Sequence, residues 1–99
     1  MMSRRLIIRP EAESELLTAF DWYEEQSPGL GSELLQELDK LFSRIIETPL
    51  QFQKVYRETR MALTRRFPYE VFFVDDGTRV VVVSVFQANR NPQSWKDRV

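Results

Sequence analysis

The chain has 99 residues, of which 42% are hydrophobic and 29% charged, with a formal net charge of −1. This composition is typical of a folded globular protein, and the length predicts a single domain over residues 1–99. The sequence has no cysteine and no histidine, which excludes disulfides, thiolate nucleophiles, imidazole bases and the metal sites that depend on those ligands.

The distribution of charge is more informative than its sum. Residues 11–47 hold ten acidic side chains against two basic ones, whereas basic residues outnumber acidic ones over residues 48–99. We therefore expect a positive face formed by the second half. No apolar run approaches the roughly 20 residues of a membrane span, and residues 1–10 lack the apolar segment of a secretion signal. These features predict a cytoplasmic protein with no membrane partner.

The chain opens with a predicted strand and helix. Residues 6–8 form a short apolar run that ends before Pro10, as is typical of a strand. Apolar residues then recur at steps of three and four, which predicts a helix that begins at Pro10 and continues to about residue 25. On this helix we expect Trp22 and Tyr23 to lie in the core.

A second helix follows the Ser-Pro-Gly-Leu-Gly break at residues 27–31. Its apolar stripe consists of Leu30, Leu34, Leu35, Leu38, Leu41, Phe42, Ile45 and Ile46. Such a stripe also occurs in coiled-coil dimers. The short connection to the first helix instead favours an antiparallel hairpin that packs this stripe into the core.

Beyond Pro49 the apolar period changes to two. Residues 61–67, 69–74 and 79–86 predict three strands, the last two joined by an Asp-Gly turn. The valine-rich last strand is typical of a central strand covered on both faces. We expect Trp95, in a short C-terminal tail, to fold back over the sheet or the helices.

The order of these elements defines the fold class. It predicts an α+β domain with an N-terminal strand and an antiparallel helix hairpin packed on a mainly antiparallel four-stranded sheet. A short C-terminal tail completes the chain.

Arginine and lysine side chains are the main reactive groups near the predicted sheet. Arginine binds phosphate and stabilises the charge that develops on it, and lysine can move a proton. RNA cleavage without histidine would use Lys54, Arg60, Arg65 and Arg66. Strand alternation places these arginines on different faces, so that solvated or ion-paired arginines are the alternative. No glycine-rich phosphate loop or converging carboxylate pair is evident, so we expect no cofactor or metal.

Four segments, taken in order, carry a family resemblance. They are residues 10–16 (PEAESEL), 22–31 (WYEEQSPGLG), 60–69 (RMALTRRFPY) and 85–95 (VFQANRNPQSW). The third resembles a strand pair ending in R-F-P-Y, and the fourth resembles a closing V-x-H-x-x-R-x-P-x-x-W pattern. Together they resemble the ParE/RelE superfamily of type II toxin–antitoxin toxins, and within it the ParE-like plasmid stabilisation branch. The resemblance spans nearly the whole chain and implies the fold described above.

The resemblance implies a toxin that inhibits DNA gyrase, because ParE-like toxins bind gyrase and stabilise its cleaved-DNA state. This mechanism is protein–protein contact rather than catalysis. Arginine and tryptophan commonly anchor interfaces, so the candidate contacts in the last strand and tail are Arg79, Gln87, Arg90, Trp95, Lys96 and Arg98. The resemblance also implies a hetero-oligomer with a cognate antitoxin, whose acidic, amphipathic segment wraps the helix hairpin and adds to the sheet.

Two alternatives remain open. One is a RelE-like, ribosome-dependent mRNA endonuclease, in which Arg60 and Arg65 or Arg66 bind the scissile phosphate and Lys54 moves the proton. Gln87 occupies the position where many relatives have histidine, and glutamine cannot transfer a proton near neutral pH. The tail also lacks the tyrosine of RelE-like members. The other alternative is a non-toxic member that only binds its antitoxin.

Overall fold

The computed structural model describes residues 4–88 and 94–99. Its elements are β1 (Arg5–Ile8), α1 (Pro10–Gln26), α2 (Leu30–Glu47), β2 (Lys54–Tyr56), β3 (Thr59–Leu63), β4 (Tyr69–Asp75) and β5 (Arg79–Gln87). Short 3₁₀ helices at Pro49–Gln51 and Ser94–Arg98 follow α2 and end the chain. The predicted α+β architecture is confirmed. No described helix is both long and apolar enough to cross a membrane.

The sheet has five strands rather than the predicted four, in the order β1-β5-β4-β3-β2. β1 runs parallel to β5, and the other neighbours are antiparallel. Sequence reasoning missed β2 because it has three residues and too little alternation to show a period. A tight turn joins it to β3, with Arg57 at a positive φ of 52°.

β3 is shorter than its sequence pattern predicts. It begins at Thr59 and ends at Leu63 instead of continuing to residue 67. The side-chain hydroxyl of Thr64 donates to the carbonyl of Phe67 and accepts from the backbone N–H of Tyr69. These local bonds fold residues 64–68 into a turn, so the alternation beyond Leu63 does not continue the strand.

One prediction for α1 is confirmed and one is wrong. Tyr23 is buried, with its ring edge-on to Phe67 and 5.1 Å from it. Trp22 is 50% exposed, contrary to its predicted place in the core. Adjacent positions on a helix point about 100° apart, so the rotation that buries Tyr23 turns Trp22 toward solvent.

The apolar stripe of α2 packs into the core of this chain, as predicted. Leu34, Leu38 and Ile45 are at most 1% exposed. The two helices approach closely at Gly31, where an added Cβ would lie 2.7 Å from the carbonyl oxygen of Phe20. Glu24 fixes the start of α2, because its carboxylate accepts three backbone N–H groups there.

β5 lies inside the sheet and is covered on both faces, as predicted. Val80 and Val82 join the core beneath the helices, whereas Val83 belongs to a second apolar cluster on the opposite face. Trp95 closes that face by stacking on Phe72, with ring centroids 4.3 Å apart and planes 17° apart. The expectation that Trp95 folds back over the sheet is therefore confirmed.

Candidate functional site

The candidate residues are distributed between the two ends of the sheet. At one end, here called the hairpin end, the turn between β4 and β5 lies beside the start of β3. At the other, here called the turn end, residues 64–68 lie beside the last residues of β5. The backbone N–H of Ala88 donates to the carbonyl of Pro68 there.

The four candidates for RNA cleavage form two pairs. Lys54 lies opposite Arg60 on neighbouring strands. Arg65 and Arg66 lie in the turn after β3, and the extended part of the chain from Arg60 to Leu63 spans about 10 Å. The structure thus brings Lys54 near Arg60 and Arg65 near Arg66, but it does not bring the four together.

Three of these cations already have partners. The Lys54 ammonium is 3.1 Å from the Glu58 carboxylate. A guanidinium nitrogen of Arg60 donates to the carbonyl of Phe52 at 2.6 Å, and Arg66 forms an ion pair with Glu33. Arg65 is exposed.

The six candidate contact residues are also spread apart. Arg79 is at the hairpin end, where its guanidinium is 2.8 Å from the Asp76 carboxylate. Gln87 is at the turn end, eight residues and about 26 Å along the same strand. Arg90 lies outside the described residues.

The C-terminal candidates lie against the body of the protein. Trp95 is only 4% exposed, because it covers Phe72 and meets Tyr56 edge-on. The Lys96 ammonium lies over the Tyr56 ring, 5.0 Å from its centroid. Of Trp95 and Lys96, only Lys96 retains a partly exposed side chain that a partner could reach.

Arg98 and Glu15 occupy an edge of β5. β1 follows β5 only as far as Val82. Beyond that point, a guanidinium nitrogen of Arg98 donates to the Val83 carbonyl at 2.8 Å, and Glu15 accepts the backbone N–H of Val85 at 3.0 Å. The two side chains also pair with each other at 3.2 Å. Sequence reasoning missed Glu15, since nothing local links it to a residue 83 positions away.

Next to this pair is a cleft of about 310 Å³ between α1 and β5, which we call the α1–β5 cleft. Its lining residues are Ser14, Glu15, Thr18, Ala19, Trp22, Tyr69, Val85, Phe86 and Gln87. Of the six candidate contact residues, Gln87 lines this cleft. The half-exposed Trp22 also lines the cleft. Trp22 is four residues after Thr18, which puts both on the same face of α1, and this spacing is the signal that could have placed Trp22 at the cleft.

The chemistry of the cleft suits recognition. The Gln87 amide and the Thr18 hydroxyl can donate and accept hydrogen bonds, and the Trp22 indole offers apolar area with one N–H donor. Glu15 is already engaged by Arg98. Elsewhere at the turn end, burial raises the pKa of Glu70. No three acidic residues in the described parts of the chain are grouped so as to hold a metal ion.

Comparison with known proteins gives a family match and two informative structures. Residues 6–92 match the family described as ParE toxin of type II toxin-antitoxin system, parDE. A chain of the chromosomal ParDE system from P. aeruginosa superposes with a TM-score of 0.76, covering 86% of this chain and 96% of that chain at 15% identity. No curated protein matches in sequence.

The second structure is a chain of the toxin–antitoxin complex RelBE2 from Mycobacterium tuberculosis. It superposes with a TM-score of 0.59 and 18% identity, covering 87% of this chain and 99% of that chain. At such identities the two structures show a shared fold. The family match confirms the resemblance carried by the four sequence segments.

Proposed function

The chain belongs to the ParE toxin family of type II toxin–antitoxin systems, and from this premise we propose that it inhibits DNA gyrase by protein–protein contact. A cognate antitoxin neutralises it, and both interactions take place in the cytoplasm. The observation that carries the choice of target is the separation of the candidate RNA-cleaving residues into two pairs.

Cleavage of RNA without histidine needs cations and a proton-transfer group within hydrogen-bond reach of one phosphate. Lys54 and Arg60 face each other on β2 and β3, whereas Arg65 lies in the turn after β3, beyond about 10 Å of strand from Arg60 to Leu63. Arg60 is held by the Phe52 carbonyl and Arg66 by Glu33. This arrangement supports a toxin that acts by binding its target.

We assign the target contact to the α1–β5 cleft. Trp22 is 50% exposed beside Gln87, and exposed tryptophans are frequent anchors of protein interfaces. Arg98 adjoins the cleft through Glu15 and keeps part of its surface exposed. Lys96 extends the surface toward the face of the sheet covered by Trp95.

A DNA-cleavage assay with purified gyrase and supercoiled plasmid tests this function. We expect the wild-type protein to increase the gyrase-bound linear DNA that is released by detergent and protease. Trp22→Ala and Gln87→Ala should reduce this product about tenfold, as for loss of interface anchors. Lys54→Ala is the matched control, and it should leave the product unchanged.

The mRNA endonuclease alternative predicts the opposite pattern. Translating ribosomes with a defined mRNA would yield cleaved message, and Lys54→Ala and Arg60→Ala would abolish the cleavage. That pattern, with no increase in linear DNA from gyrase, would overturn the proposal. If the protein inhibits neither gyrase nor translating ribosomes, both proposed targets are excluded and antitoxin binding is left as the function.

The antitoxin proposal has its own test. The protein should co-purify in a fixed stoichiometry with the product of the adjacent reading frame. The antitoxin segment would fold on binding, wrapping the helix hairpin and adding to the sheet. Failure to form any stable complex on co-expression would contradict this part.

A further inference from the structure

The edge of β5 beside β1 is covered along only part of its length. β1 pairs with β5 as far as Val82, whose carbonyl accepts the backbone N–H of Arg9 at 3.0 Å. The chain then leaves the sheet at Pro10, where α1 begins, whereas β5 continues to Gln87. Residues 83–87 therefore have no neighbouring strand on this side within the parts of the chain that the structure describes.

Glu15 and Arg98 take the place of one residue of a further parallel strand. In a parallel pair, a bonded residue donates its N–H to one carbonyl of the neighbouring strand and accepts the N–H found two positions further along it. Arg98 donates to the carbonyl of Val83 at 2.8 Å, and Glu15 accepts the N–H of Val85 at 3.0 Å. The two side chains thus make the hydrogen bonds of a residue opposite Ser84.

The next position along this edge is open. The N–H of Ala88 donates to the carbonyl of Pro68, on the β4 side of β5. Because backbone groups of successive residues alternate in direction, the N–H of Gln87 and the carbonyl of Val85 point away from β4. Neither group has a hydrogen-bond partner among the described residues. Such a donor and acceptor are what the edge of a sheet offers to an incoming strand.

The α1–β5 cleft encloses this open position. Residues 85–87 line one side of it, and Ser14, Thr18 and Trp22 line the side formed by α1. These three residues are spaced by four, so they follow one face of the helix over about 12 Å. The cleft therefore has the length of about three or four residues of extended chain.

The surface of α1 beside the cleft is acidic. The helix carries six acidic side chains and no basic one. Glu13 and Asp21 are exposed on a groove that shares Ser14 and Thr18 with the cleft, and Leu17 is 53% exposed between them. Neither acid forms an ion pair with a described residue. An occupant with lysine or arginine side chains is therefore attracted to this surface, whereas an acidic one is repelled.

We propose that a basic, extended segment of the target protein enters the α1–β5 cleft and adds to β5 as a parallel strand. One residue of that segment, opposite Phe86, donates to the carbonyl of Val85 and accepts the N–H of Gln87. An apolar side chain of the segment packs on Trp22, and its basic side chains face the acidic surface of α1. The inference rests on the proposed function, because it specifies how the target is held at the cleft.

An extended peptide suits the cleft better than a helix or a nucleic acid. A helix pairs its own backbone groups, so it would cover the Val85 carbonyl and the Gln87 N–H without bonding them, and this costs free energy. A phosphate backbone needs cations along the surface that binds it, and α1 has none. Strand addition pairs both backbone groups and is a recurrent mode of peptide recognition.

A fluorescence-anisotropy titration tests the charge of the occupant. The probe is a labelled, eight-residue peptide of alternating valine and lysine. We expect Asp21→Lys to weaken its binding about fivefold, because the reversal places like charges opposite each other. Asp39→Lys is the matched control, since Asp39 is an exposed acid on α2 that lines neither the cleft nor the adjoining groove. The control should change binding by no more than about twofold.

Three results of this titration would overturn the proposal. They are failure of the valine–lysine peptide to bind, equal weakening by Asp21→Lys and Asp39→Lys, and equal binding of a valine–glutamate peptide. Sedimentation of the free protein tests another occupant. Dimers that the valine–lysine peptide dissociates would make a second copy of this chain the occupant, and would also overturn the proposal.

Amide hydrogen exchange tests the strand addition itself. In the saturated complex, the N–H of Gln87 should exchange about tenfold more slowly than in the free protein, because it has gained an acceptor. The amides of β2 are the internal control, since β2 is the opposite edge of the sheet, and their exchange should not change. Unchanged exchange at Gln87 would overturn the strand addition.

Competition in the gyrase cleavage assay separates this inference from the proposed function. Excess valine–lysine peptide should lower the gyrase-bound linear DNA, whereas a peptide of the same composition with its lysines in one run, the control for binding to DNA, should not. Linear DNA that persists at saturating peptide would count against the strand site alone. Absence of linear DNA without any peptide, while the peptide still protects Gln87, would count against gyrase as the target alone.

Discussion

Arg98, the second-last residue, binds Glu15 of α1 through both terminal nitrogens, at 3.2 Å and 3.3 Å. The same carboxylate accepts the hydroxyl of Ser84 and the backbone N–H of Val85, each at 3.0 Å. Four donors therefore converge on one side chain where β1 ends. This arrangement connects the C-terminal 3₁₀ helix, the first long helix and the central strand.

We expect Glu15→Gln to lower the free energy of unfolding by about 1–3 kcal/mol, since hydrogen bonds to a partly buried carboxylate are lost or weakened. Urea titration followed by circular dichroism measures this change. Glu11→Gln is the control, because Glu11 is exposed and its ion pair with Arg9 is longer, at 3.5 Å. It should lower the free energy of unfolding by no more than about 0.5 kcal/mol, and equal losses in the two variants would contradict the role of Glu15.

Trp95→Ala should lower the free energy of unfolding by about 3–5 kcal/mol, because it removes a large buried ring from the Phe72 face. Trp22 is the matched control, since it is the other tryptophan of the chain and is 50% exposed rather than 4%. Trp22→Ala should cost about 1 kcal/mol or less. Urea unfolding of both variants measures the two losses in free energy of unfolding. Similar losses for Trp95→Ala and Trp22→Ala would argue against a docked C-terminal segment.

Gly31→Ala should be destabilising, although alanine is ordinarily favoured over glycine in a helix by about 0.5–1 kcal/mol. The new Cβ would lie 2.7 Å from the Phe20 carbonyl oxygen and 2.8 Å from Cγ of Glu24. Such overpacking costs about 1–3 kcal/mol, which outweighs the helix preference. The thermal midpoint should fall for Gly31→Ala and stay nearly constant for Ser32→Ala. A higher thermal midpoint for Gly31→Ala would show that α1 and α2 can move apart without loss of stability.

The stability of the β4–β5 turn should depend on acid pH through Asp76. Its carboxylate accepts the backbone N–H groups of Arg79 at 2.7 Å and Thr78 at 3.0 Å, and these bonds hold its pKa well below the ordinary value. The unfolded chain takes up the proton at a higher pH than the folded one. The stabilisation is therefore complete above about pH 4 and is lost as the pH falls further.

Asp76→Asn tests this dependence, because the amide cannot titrate. The urea midpoint of the wild type should exceed that of the variant at pH 7, and the difference should shrink at pH 3. An equal difference at both pH values would contradict the role assigned to the ionised carboxylate.

Elements whose pattern is visible within a short stretch of sequence were predicted, whereas features that depend on contacts between distant residues were not. The buried positions of α2 repeat every three or four residues, and Tyr69 and Val71 alternate with a half-buried or oppositely facing neighbour, so local patterns revealed these elements. β2 was missed because three residues show no period. Trp22 was misplaced because a large aromatic residue next to Tyr23 fits the core pattern, and only the rotation of α1 shows which of the two is buried.

The sequence by itself determined the order of the longer elements, the helix hairpin, the main antiparallel strands and the family, because periodicity and short motifs are properties of neighbouring residues. Only the tertiary structure decided which side chains meet across the chain. It joined Glu15 to Arg98, divided Lys54 and Arg60 from Arg65, and placed Trp22 beside Gln87. These contacts arise from the packing of the hairpin on the sheet, and no spacing within a single element encodes them.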